Sequence, residues 1–488
     1  MLVSQFVNEG LGNSSYLVAS REAGVAAVID PERTVEPYLE AAAALGLRIT
    51  HVFETHLHAD FVSGSRELAA RPGAEICASA EAGLEFPHRP LREGDEVRVG
   101  ELVFGVMETP GHTPEHISFT LHREGPQARA GRVEEEGRTQ PQAIFSGGAL
   151  LVGGVARTDL LAEEMTVPLT RQLYHALHDK LLALPDAVEV YPTHGAGSFC
   201  STPTGAERTT TIGRERRQNP LLRAASEAEF VEAVLEGLPS YPAYFRRLRA
   251  VNRRGPRILG SLHTQPSRAS GPSLLRLKPL PPLEVQRRQQ RGALIIETRP
   301  VKAYLAGHIA GAYYVELRPA FASWLGWVVP PDRPLVFVVG EGDVDADVEE
   351  IVRQALSIGY EDLAGYLEGG VQAWQRAGLP VAQLAEMTAA QLLGQDEAVL
   401  LDVRQRHEWA QGHAPGALLI EAGELPTRAG ELPRGRPIAV ACEHGSRAAT
   451  AMSILEGMGF GPLYHLKGDM AGWKRAGLPL TSALEPVP

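Results

Sequence analysis

The sequence has little cysteine, no excess of positive charge and no long apolar run. Its 488 residues include three cysteines, Cys77, Cys200 and Cys442, far apart in the chain. A set so odd and sparse excludes a disulfide framework and points to free thiols in a reducing compartment. Lysine and arginine number 47 against 59 aspartates and glutamates, a formal net charge of -12. That balance argues against nucleic acid and against an anionic membrane surface. No apolar stretch approaches the roughly 20 residues that span a bilayer. The start, MLVSQFVNEGLGNSSYLV, lacks the basic and long apolar regions of a secretory signal. The expectation is a cytoplasmic enzyme or multidomain adaptor with no nucleic-acid or membrane partner; a homo-oligomer stays open.

The length suggests about three domains. Over residues 1–255, short apolar stretches such as YLVAS, VAAVID, THVFET and AIFSGG alternate with turns. Amphipathic stretches such as VEPYLEAAAALG and LTRQLYHALHDKLLAL lie between some of them. That is a mixed α/β pattern. LHTQPSRASGPS at 262–273 reads as a linker. Beyond it the chain repeats itself. Gly307, His308 and Gly311 recur 105 positions later as Gly412, His413 and Gly416, and Trp374 recurs as Trp473. Two α/β copies, at 274–383 and 384–488, each predict a parallel sheet covered by helices.

Chemistry concentrates in two places. In ETHLHADFVSG, His56, His58 and Asp60 occupy alternate positions, which share a side of an extended chain. TPGHTPEH adds His112 on a Pro/Gly turn, and YPTHGAGSF adds His194 after a strand. Histidines gathered at strand ends are what a metal site requires. In the second repeat, the apolar strand IAVA ends at Cys442 and the loop CEHGSR leads into a helix. Backbone N–H groups at such a helix start converge on one centre. They should lower the thiol pKa and favour a nucleophilic thiolate, with Arg447 adding positive charge.

HLHAD, PGHTPEH and YPTHGAGS, in this order, resemble the metallo-β-lactamase superfamily, which implies an αββα sandwich with metal at one edge. ETHLHADFVSGS, AIFSGGALLVGGVARTDL and TTIGRERRQNPLL narrow the likeness to persulfide dioxygenases, relatives of glyoxalase II that oxidise glutathione persulfide to sulfite. The resemblance implies one Fe(II) held by two histidines, here His56 and His112, and one aspartate. Two-metal relatives place a second-site histidine where this chain has Phe61. The family's Gly-Asp-Ala-Leu is here Gly147-Gly148-Ala149-Leu150, so Gly148 stands where the carboxylate is expected. His58 could complete a three-histidine site, suited to zinc as well as iron, or Asp60 could swing in. His194 is either a ligand or a pocket residue behind the ligands. Cys200 reads as a buried thiol or a sulfur carrier. Arg214 and Arg217 read as carboxylate binders or a solvated helix face.

The second repeat resembles rhodaneses. The match rests on DVR with Asp402 and Arg404, on GHAPGA at 412–417, and on the loop of Cys442, Glu443, His444, Gly445, Ser446 and Arg447. It implies that Cys442 accepts a sulfane sulfur and passes it on. The first repeat reads LVFVVGEGDVDADVEE there, with no cysteine and an acidic loop, so it is expected to be non-catalytic. The fusion implies a persulfide dioxygenase–sulfurtransferase acting on low-molecular-weight thiol persulfides with sulfite or thiosulfate. A rhodanese behind a degraded metal domain and a zinc thioester hydrolase are the alternatives.

Overall fold

Why the first 255 residues form a layered structure is legible in single strands. In Asn13–Ser20 every residue is buried. Tyr16 and Val18 face one apolar core, and Leu17 and Ala19 face another. Val25–Ile29 alternates in the same way, with Ala27 and Ile29 on the first core and Ala26 and Val28 on the second. A strand buried on both faces has a layer on each side. The computed structural model supplies those layers; it describes residues 2–123, 140–202, 206–259 and 277–482. The linker expected at 262–273 lies outside the described residues.

Two six-stranded sheets stack face to face. The first runs Leu2–Asn8, Asn13–Ser20, Val25–Ile29, Arg48–Phe53, Glu75–Ser79 and Arg89–Leu91 in spatial order. The second runs Thr210–Thr211, Glu189–Pro192, Ala143–Gly147, Ile117–Arg123, Leu102–Glu108 and Glu96–Val99. Tyr16, Phe53, Phe104, Phe119 and Phe145 join both sheets in one core. Tyr38 and Ala42 of helix Glu36–Ala44 cover the outer face of the first sheet. Leu173 of helix Glu163–His175 and Phe230 of helix Glu227–Glu236 cover that of the second. The result is an αββα sandwich, as expected.

The chain divides into two compact units, Met1–Pro272 with Leu356–Gly359, and Ser273–Ala355 with Tyr360–Pro488. The second holds both repeats apart from Leu356–Gly359. Each builds a five-stranded parallel sheet with the same strand order. In the first copy Glu297 pairs with Val338; in the second Asp402 pairs with Ala441. Val339 therefore occupies the position of Cys442. Trp374 and Trp473 each donate an indole N–H at 2.9 Å to a carbonyl six residues on, Pro380 and Pro479. Among the described residues no helix is long and apolar enough to cross a membrane.

Candidate metal centre and cysteine loop

The histidines meet where four strands end. His56 follows Arg48–Phe53, His112 follows Leu102–Glu108, and His194 follows Glu189–Pro192, while Gly147 closes Ala143–Gly147. Gly111, with φ +146°, makes the turn before His112, and a Cβ there would strike the Leu173 backbone. His56, His112 and His194 each present one nitrogen, all within 4.8 Å of one another.

Their tautomers follow from their partners. Thr55 Oγ1 donates to Asp30 Oδ2 at 2.7 Å, so it accepts from His56 Nδ1 at 2.8 Å. His112 Nδ1 donates to the Arg157 carbonyl at 2.6 Å, and His194 Nδ1 donates to Asn13 Oδ1 at 3.1 Å. Three Nδ1–H groups are thus spoken for, and three Nε2 lone pairs face a common centre. His112 Nε2 has no hydrogen-bond partner although buried, and the Nε2 atoms of His56 and His194 lie 3.3 Å apart. Facing lone pairs repel unless a cation or proton lies between them. Burial, reinforced by the neighbouring imidazoles, holds His56 and His112 well below the ordinary histidine value. They are neutral donors at physiological pH. The donor set fits a single metal ion, with the orienting hydrogen bonds such ligands need.

His58 lies beside this set, in two further groups that could hold a metal ion, Asp30 with His56 and His58, and His58 with Asp60 and His194. Its Nε2 lies 3.2 Å from both Asp30 Oδ1 and Glu54 Oε2. Burial works to lower its pKa, yet these two carboxylates push it up to about 10. Asp60 lies against His194. Its carboxylate lies 3.3 Å from His194 Nδ1, on the far side of that ring. His194 and His58 outweigh burial and hold it well below the usual carboxylate range. His58, Asp60 and His194 nevertheless form a second cluster of donor atoms, and both Asp60 oxygens are buried without a hydrogen bond.

Gly148 has a packing reason. A Cβ there would lie 2.5 Å from His112 Cδ2 and 3.1 Å from the Ala156 methyl. Its N–H donates to His116 Nε2 at 2.9 Å. His116 and Asp30 are residues the sequence reading passed over. The fourth residue after His112 was a signal for the first. Nothing local marks Asp30, which reaches Thr55, Thr193 and His58 from a preceding strand. Cys200 is fully buried, and burial together with Asp60 pushes its thiol well above its ordinary value. Arg214 is half-buried and paired with Glu207, and Arg217 is exposed and paired with Asp186, a solvated helix face.

At the second site Cys442 follows strand Ile438–Ala441, and helix Ser446–Gly457 begins four residues on. Gly445, with φ +98°, turns the loop so that its N–H donates to Cys442 Sγ at 3.0 Å. The expected fall in pKa does not occur. Burial and the Asp469 carboxylate raise the thiol, outweighing Arg447 and the Ala448 and Gly445 amides. Arg447 is not free to face an anion; its guanidinium forks onto Glu408. His444 is exposed, Ser446 starts the helix, and Glu443 pairs with Lys474 at 2.9 Å. Asp402 and Arg404 form an internal clamp. Arg404 is buried, bonded to Asp402 at 2.7 Å and to the Gly412 carbonyl at 2.9 Å. The first copy has the same clamp, Arg299 on Glu297 and the Gly307 carbonyl. The copy without the cysteine thus keeps the same clamp.

The metallo-beta-lactamase superfamily matches residues 8–125, and the rhodanese-like domain matches 282–377 and 387–476. The chain is 30% identical over 220 residues to the mitochondrial persulfide dioxygenase of Homo sapiens, covering 45% of this chain and 74% of that one. It is 31% identical over 239 residues to hydroxyacylglutathione hydrolase of Rhodospirillum rubrum, covering 45% and 86%. A solved structure of a metallo-beta-lactamase from Staphylococcus aureus subsp. aureus COL aligns with TM-score 0.63 and 29% identity, covering 75% of this chain and 98% of that one.

Proposed function

Because the chain belongs to the metallo-beta-lactamase superfamily and carries two rhodanese-like domains behind that fold, we propose that it is a persulfide dioxygenase–sulfurtransferase. Its substrate would be a low-molecular-weight persulfide such as glutathione persulfide, its oxidised product sulfite. A single Fe(II) would be held by His56, His112 and His194. When bound, iron would supply open coordination positions for a sulfur ligand and dioxygen. Thr55, Arg157 and Asn13 fix the three rings, and Asp30 with Glu54 neutralises His58. A small cleft lined by His56, Leu57, Phe86 and Asn252 among others opens beside them.

The observation that carries the reading is Phe61. Its ring stacks on His58 with centroids 4.2 Å apart and offers no donor atom, and Gly148 offers no bridging carboxylate. That favours one metal ion over the pair a binuclear hydrolase uses. In the last domain Cys442 would attack the terminal sulfur of a persulfide, releasing the thiol and storing the sulfur as a cysteine persulfide. Transfer of that sulfur to sulfite would give thiosulfate, and tethering raises the effective concentration of the intermediate.

The test is oxygen uptake with glutathione persulfide on iron-loaded full-length protein, with iron measured in the same sample. Absence of uptake at full occupancy sinks the dioxygenase half. One feature favours a second reading, a zinc thioester hydrolase: three imidazole nitrogens facing one centre also suit zinc and water activation. Turnover of a glutathione thioester by the zinc form, without oxygen uptake by the iron form, would select it.

A further inference from the structure

The two repeats differ at a second position besides the cysteine. Where the first copy reads Glu368-Gly369-Gly370, the second reads Lys467-Gly468-Asp469. Gly370 has φ +58°, and Asp469 has φ +52°. The left-handed region is natural for glycine and costly for a residue with a side chain. Among the described residues only Asp30 and Asp469 adopt positive φ without being glycine. A Cβ built on Gly370 meets nothing nearer than the Val339 carbonyl, at 4.0 Å. The space beside the strand end is therefore open in the first copy, and in the second the Asp469 side chain fills it. Its Oδ1 accepts from the Cys442 N–H at 3.2 Å and lies 3.8 Å from Cys442 Sγ. The copy that has the cysteine has the carboxylate; the copy that lacks one lacks the other. Backbone strain kept at such a place invites a functional explanation.

The geometry points to Asp469 as the proton acceptor for Cys442 in sulfur transfer. This rests on the sulfurtransferase reading above. As Cys442 Sγ bonds to the terminal sulfur of RS–SH, its proton passes to Asp469. The S–S bond of the donor breaks, and the departing thiolate takes the proton from Asp469 to leave as RSH. Cys442 is left as a persulfide; sulfane sulfur moves and no outside oxidant or reductant is consumed. The groups around the pair suit this role. Arg447 acts on the thiol only as a nearby charge, its guanidinium being engaged by Glu408. Asp469 is faced by His444 and by His465, whose Nε2 is 3.8 Å away. Burial raises the Asp469 carboxyl above its usual range, which makes it a better base.

Full-length Asp469→Asn and Asp469→Gly separate the possibilities. Glycine suits the backbone, as Gly370 demonstrates, so that variant folds. Two rates are read: thiocyanate formation from glutathione persulfide and cyanide, and alkylation of Cys442 by iodoacetamide against pH. Without the neighbouring carboxylate the thiolate is more populated, so alkylation at pH 7 speeds up. Transfer nevertheless falls about 100-fold as general-acid–base help is lost. Transfer that is unchanged, or that rises in step with alkylation, overturns the assignment. Falling alkylation together with falling transfer also overturns it, because Asp469 then only shapes the loop. Cys442→Ser is the control. Transfer surviving in it removes the sulfurtransferase reading itself; transfer lost in it but normal in Asp469→Asn removes only the role of Asp469.

Discussion

Replacing Gly148 with aspartate would supply the carboxylate the persulfide dioxygenase pattern expects, and the structure predicts that it damages the site. The new Cβ would lie 2.5 Å from His112 Cδ2 and 2.9 Å from Cγ. Carbon atoms prefer 3.5–4.0 Å, so His112 must retreat by about 1 Å. It cannot do so freely, because its Nδ1 donates to the Arg157 carbonyl at 2.6 Å. Overpacking costs about 1–3 kcal/mol, and the strained hydrogen bond adds about 0.5–1.5 kcal/mol. A loss of about 2–4 kcal/mol lowers the melting temperature by about 5–15 °C in a domain of this size. Losing the orienting hydrogen bond also weakens metal binding by about 10- to 100-fold. Gly148→Ala isolates the steric effect, since it adds the Cβ without the carboxylate. Calorimetry and metal analysis on both variants read the outcome. Gly148→Ala with the wild-type melting temperature and metal content would refute the argument, and the natural glycine would need another explanation.

Chelator-treated protein is expected to be most stable near pH 6.5. Folding depresses His56 and His112 below their ordinary 6.5, so as pH falls the unfolded chain takes up protons first, at about 1.4 kcal/mol per pH unit for each histidine. His58, raised to about 10, acts oppositely: its contribution is complete below pH 6.5 and is lost as pH rises through about 10. Denaturant midpoints flat from pH 5 to 9 would contradict this pairing of His58 with Asp30 and Glu54. Asp402→Ala should destabilise the last domain by about 3 kcal/mol, because it strands the buried Arg404. Glu297→Ala should cost a similar amount in the first copy; a large loss in one copy and none in the other would mean that the clamp is not shared.

Much of this protein was legible in residue types and spacing. Short apolar stretches such as YLVAS and VAAVID marked a mixed α/β unit, the 105-residue echo of GHIAGA in GHAPGA marked two copies, and Phe61 and Gly148 announced their missing donors on sight. The lone pairs and charges were not legible, because the partners that decide them come from elsewhere in the chain. Alternate positions put His58 beside His56, but only the fold set Asp30 and Glu54 against it and brought His194 from another sheet. Helix-start amides promised an acidic thiol at Cys442 until Asp469, 27 residues on, came to lie against it. Sequence determined which functional groups exist and which strand ends carry them. Only the tertiary structure decided their protonation, since a proton's place depends on whichever buried group the fold brings within about 4 Å.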